Sequence, residues 1–165
     1  MFRLHIERSV RRFANGLMLA MAAFSMVAAA QAADLMVRNV WIREPMPGQS
    51  VAAAYMTLES TRGMALVKAD SPVAGVVELH RMWMDHGIMR MRAMPRIDLP
   101  AGQAVRLTPG GLHVMLIDLR RTLRVGEYVP LTLVFEDAQH AQQKISVQAE
   151  VRAFGRAPSM RMPAH

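Results

Sequence analysis

With 165 residues, 20 Lys+Arg against 13 Asp+Glu (net charge +7) and no cysteine, the chain is long enough for one domain with a substantial core and too short for two. The absence of thiols excludes disulfides, zinc–cysteine clusters, iron–sulfur ligation, CxxC redox chemistry, a cysteine nucleophile and a blue-copper electron-transfer centre. Two Trp, two Tyr and five Phe leave little for base stacking, whereas 16 methionines are an excess that calls for a cause.

Residues 1–32 read as a secretory signal peptide. Arg3, Arg8, Arg11 and Arg12 form a basic start, Gly16 to Ala30 is apolar, and Ala30-Gln31-Ala32 supplies a small-x-small cleavage pattern. The apolar stretch falls short of the roughly 20 residues that cross a bilayer. The expectation is therefore an exported, periplasmic protein with no membrane span in its mature form. Cleavage removes four Arg and one Glu, leaving 16 basic and 12 acidic residues, and 12 of the methionines remain in the mature chain. That mild positive charge contains no long Lys/Arg run, so no nucleic-acid partner is expected.

From Leu35 onward the apolar residues alternate with period two. In chain order the expected strands are Leu35–Ile42, Val51–Glu59, Ala65–Ala69, Val73–Met84, Ile88–Met94, Ala104–Leu107, Leu112–Leu119, Tyr128–Phe135 and Lys144–Ala153. Turn signals separate them at Pro45 to Gly48, Ser71-Pro72, Asp98 to Gly102, Pro109 to Gly111 and Glu136 to His140. Many short strands with no long amphipathic helix predict an all-β, antiparallel sandwich or barrel over residues 33–154. The segment 155–165 has no periodicity and reads as a flexible tail.

The unusual chemistry is concentrated between Glu78 and Met94. Alternation places His80, Met82 and Met84 on one strand face, with Arg81 and Trp83 on the other. On the return strand Met89 and Met91 share a face. A two-residue turn at His86-Gly87 pairs Met82 with Met91 and sets His80 diagonal to Met91 on the same face, whereas a three-residue turn without a bulge sends Met91 to the far side. The even register is expected, with His86 an exposed turn residue. Downstream, alternation puts His113 and Met115 on one face. These two imidazoles and two thioethers make a soft, neutral ligand set that suits monovalent copper and suits zinc, magnesium or calcium poorly. The alternative is that the same residues fill the core, because methionine adapts to irregular gaps. No base, nucleophile or oxyanion arrangement accompanies them, so an enzyme is not expected.

The spacing His80-(x10)-Met91-(x21)-His113-x-Met115 resembles the motif of the periplasmic copper chaperones called PCu(A)C. Val51 to Leu58, Leu99 to Gly102 and Pro109 to Leu116 resemble the same family, and the resemblance covers roughly residues 34–152. It implies a cupredoxin-like Greek-key β-sandwich without the cupredoxin cysteine, binding one Cu(I) through His80, Met91, His113 and Met115. It further implies delivery of copper to an accepting protein, either a cytochrome oxidase subunit with a CuA-type site or another assembly chaperone. Met82, Met84 and Met89 serve either as a hydrophobic rim, the favoured reading, or as alternate thioethers during transfer. Met160, Met162 and His165 in the tail are candidate secondary contacts. A copper scavenger with no dedicated acceptor, and a metal-free module that docks a partner through its Met face, remain the alternatives.

Overall fold

A computed structural model of the chain describes residues 34–153, all of them in strands, turns or irregular segments. The expected signal peptide and the tail with Met160, Met162 and His165 lie outside the described residues. Ten strands follow in order: β1 (Leu35–Arg43), β2 (Ala52–Ser60), β3 (Met64–Asp70), β4 (Ala74–Asp85), β5 (Ile88–Ala93), β6 (Ile97–Leu99), β7 (Val105–Leu107), β8 (Leu112–Leu119), β9 (Tyr128–Asp137) and β10 (Gln142–Arg152).

Hydrogen bonding runs through the strands in the order β5-β4-β8-β2-β1-β10-β9-β3-β6, with β7 beside β2. The path folds into two layers joined through β1, which pairs antiparallel with β2 and parallel with β10. A bulge between Arg38 and Trp41, where Asn39 takes a φ of 53°, bends β1 where it changes partners. The core lies between the layers. Leu79, Val114 and Leu116 from β4 and β8 meet Leu131, Leu133 and Phe135 from β9 and Ala149 and Val151 from β10 in one buried cluster. Burying these side chains is the main stabilising term in a chain without disulfides.

Nine of these strands match expected segments to within two residues at each end. The exception, β6, covers Ile97–Leu99, where Asp98 reads as the start of a turn. Three residues are too few to display alternation, and β6 is held by pairing with β3 at Met64–Leu66, a contact between distant parts of the chain.

Candidate metal centre

The β4–β5 turn fixes the first half of the site. Asp85 pairs with Ile88, Met84 with Met89, Met82 with Met91 and His80 with Ala93, which is the even register. His86 and Gly87 carry φ values of 48° and 82°, as a type I′ turn requires at both central positions. Glycine adopts that conformation without cost, and His86 projects into solvent beside the Asp85 carboxylate, 2.8 Å from its Nδ1. His80 and Met91 therefore stand diagonally on one face.

Pairing of β4 with β8 supplies the second half. His80 lies directly opposite His113, Glu78 opposite Met115 and Leu79 opposite Val114. Residues directly opposite share a face, so His80, Met82, Met91, His113, Met115 and Glu78 all stand on one side of the sheet. Leu79 and Val114, 4 % and 0 % exposed, stand on the other and form the core. The His/Met set is on the outer face of the sandwich and does not fill its interior. Met82 and Met115 are half-buried there, and Met84, Met89 and Met91 are exposed.

The two histidines are nevertheless buried, at 9 % and 4 % exposure. Their ring centroids are 5.7 Å apart. A ring ligating through a bond of about 2 Å sets its centroid about 3 Å from the ion, so two rings at this separation can share one ion. The His113 Nδ1 donates to the Gly111 carbonyl at 3.1 Å, an oxygen that also accepts from the Met82 amide at 3.0 Å. That bond leaves Nε2 as the lone-pair nitrogen of His113. Burial, reinforced by the neighbouring His80 and the Arg43 guanidinium and opposed by the Gly111 bond, holds the His113 imidazole below its ordinary pKa and favours its neutral, ligating form. The His80 Nε2 donates to the Glu78 carboxylate at 2.8 Å. Its Nδ1 is the one buried side-chain nitrogen or oxygen among the described residues without a hydrogen-bond partner. Such an atom loses its hydration with no return unless something else occupies its lone pair.

Beside His113 stands an aromatic wall. The Tyr55 ring centroid is 6.4 Å from that of His113 and 4.6 Å from that of Trp41, with Arg43 over Tyr55 and Arg152 over Trp41. Among the described residues no three His, Cys, Asp or Glu side chains cluster as a hard-ion or zinc site would need. Apart from the Glu78 carboxylate, which is engaged by His80, the face offers imidazole nitrogen and thioether sulfur, donors that fit monovalent copper. Sequence reasoning did not assign Glu78 or Tyr55 a part in this site. The signal available for Glu78 was its i,i+2 spacing from His80 on one strand face.

Known proteins bear on the same region. A family model described as "LpqE-like: Putative lipoprotein LpqE-like" matches residues 35–151. The "Putative lipoprotein Lxx21020" of Leifsonia xyli subsp. xyli is 31 % identical over 121 residues, covering 72 % of this chain and 72 % of that protein. Among solved structures, the copper-bound PCuAC domain from PmoF2 superposes with a TM-score of 0.60 at 28 % identity, covering 73 % of this chain and 93 % of that domain. The Cu(I) form of DR1885 from Deinococcus radiodurans gives a TM-score of 0.57 at 34 % identity, with 76 % and 83 % covered. These neighbours share the all-β, cupredoxin-like sandwich.

Proposed function

The chain belongs to the LpqE-like, PCuAC-type family, and on that premise we propose that it is an exported Cu(I) carrier that hands its metal to an accepting protein, in a route toward cytochrome oxidase assembly. The observation that carries this reading is the outer-face location of the His/Met set. A core-filling role would turn His80, Met91, His113 and Met115 toward Leu79 and Val114, and they stand on the opposite side. The structural relatives include copper-bound forms. The ligands proposed are these four residues, with the copper as cargo.

Two neutral imidazoles and two neutral thioethers bring no negative charge into direct contact with the monovalent ion, the Glu78 carboxylate standing behind His80, so the ion is held without the strong binding of thiolates. The donors sit at different depths: His113 is buried, and Met91 is 48 % exposed. An acceptor can therefore replace the outer sulfur first and the imidazoles last. Met82, Met84 and Met89 complete an apolar rim around that approach. Residues 1–32 act as the export signal, 33–154 as the copper domain, and Met160, Met162 and His165 in the 155–165 tail as secondary contacts. The role needs no bond-making chemistry, so the protein is read as a carrier and not an enzyme.

The direct test is a Cu(I) competition titration of the purified protein beside a His113→Ala, Met115→Ala double variant. One equivalent held by the parent and lost by the variant is the expected result. Equal binding by both would sink the site assignment, and binding by neither would favour a metal-free docking module. Deleting the gene separates delivery from scavenging: lost oxidase activity at low copper is expected, whereas copper sensitivity alone would favour scavenging. Truncation at residue 157 tests the tail, and unchanged stoichiometry for both copper oxidation states would remove it from the ligand set.

A further inference from the structure

We infer that Glu78 is a positioning residue that sets His80 to bind copper through Nδ1, so that the two imidazoles of the site ligate through different nitrogens, His80 by Nδ1 and His113 by Nε2. The inference rests on the copper reading above and deepens it.

Three observations meet at this point. Glu78 and His80 are two apart on β4, so both side chains stand on the outer face, and the carboxylate lies 2.8 Å from the ring Nε2. A carboxylate only accepts, so this contact places the imidazole proton on Nε2 and the lone pair on Nδ1. Nδ1 is the orphaned buried atom, on a side chain only 11 % exposed. At His113 the order is reversed, because the Gly111 carbonyl takes the proton of Nδ1 and leaves Nε2.

The asymmetry comes from the supporting acceptors, because the antiparallel pairing by itself relates the two residues by a local two-fold axis and would present like nitrogens. The pairing sets the two rings beside each other, with centroids 5.7 Å apart and planes inclined by 48°. The supporting acceptors come from different sources: β4 contributes a side chain, and the Pro109–Gly111 turn contributes a backbone carbonyl. Only the Glu78 support can be removed by substitution. It is half-exposed and away from the core, so its loss leaves the fold intact.

The experiment reads histidine tautomers in the copper-free, uniformly 15N-labelled protein, then Cu(I) affinity by competition, for the parent, Glu78→Ala, Glu78→Gln and His80→Ala. The parent is expected to show the Nε2–H tautomer at His80 and the Nδ1–H tautomer at His113. In Glu78→Ala the His80 ring should lose its single tautomer while His113 keeps its own, and Cu(I) affinity should fall roughly 10- to 100-fold. A glutamine amide oxygen can accept the same proton, so Glu78→Gln should restore the tautomer and most of the affinity. An Nδ1–H tautomer at His80 in the parent, or undiminished affinity in Glu78→Ala, would overturn the inference. Undiminished affinity in His80→Ala would instead overturn the copper site itself, which keeps the two failures distinct.

Discussion

His113 is the residue at which burial and chemistry most visibly meet. Its ring is 4 % exposed, and desolvation pushes its pKa below the ordinary value, as do His80 and Arg43, against the opposing Gly111 bond. The folded protein thus gives up this proton at a lower pH than the unfolded chain, whose imidazoles titrate near about 6.5. Below that pH the unfolded chain binds more protons, so acidification favours unfolding. The copper-free protein should have a lower melting temperature at pH 5 than at pH 7.5, and His113→Gln should shrink the difference. Glu136, lowered by its bonds to His140 and Gln142, adds to acid sensitivity only toward the acid end of this range and equally in both proteins, so it does not alter their comparison. Equal drops in parent and variant, followed by circular dichroism, would assign the acid sensitivity to other groups. His80 and His113 were legible in the sequence as candidate ligands because spacing marks them. Their supports, Glu78 and the Gly111 carbonyl, were not, because the i,i+2 spacing of Glu78 does not by itself separate a supporting carboxylate from a solvated one, and a backbone oxygen has no letter of its own.

Strand pairing turns the residues into a site. The β4–β5 hairpin continues past the end of β8, where Arg81 opposite Leu112 is the last pair and the Met82 amide still bonds to the Gly111 carbonyl, so Trp83 to Asp85 pair with β5 alone. Met84, Ile88 and Met89 are 61 %, 58 % and 51 % exposed there, an apolar surface that is costly to leave in contact with water. The register of this arm depends on its two-residue turn. A Cβ at Gly87 would meet nothing within 4 Å, so Gly87→Ala isolates the backbone cost of a φ of +82°. That cost is about 1–2 kcal/mol. Urea denaturation should show a loss near this size together with weaker Cu(I) binding, because Met91 is aligned through the turn. No change in either would mean that the arm is not held by this turn. The hairpin was legible from sequence since alternation and a His-Gly turn are local signals. The three-residue β6 was not, because its place is decided by β3.

Across the whole molecule, the two faces of one sheet have different work, and stability should divide accordingly. Phe135, fully buried between the layers, should cost about 3–5 kcal/mol when replaced by Ala. Met84→Ala, on the outer face, should stay within about 0.5 kcal/mol. Chemical denaturation of both variants checks this, and a large loss at Met84 would restore the packing account of the Met excess. The sequence by itself determined which residues share a face, because period-two alternation is a property of each strand's own backbone. It also determined the parity of the β4–β5 turn, through the residues able to adopt positive φ, and the softness of the donors, through composition. Which of the two faces looks inward was a tertiary decision. It depends on where β9, β10 and β3 stack, and the inward positions of β4 and β8 are those that Leu131, Leu133 and Phe135 can cover. The meeting of His80 with His113 was decided in the same way, since strands far apart in the chain have their relative register set by the packing of the layers and not by any turn between them.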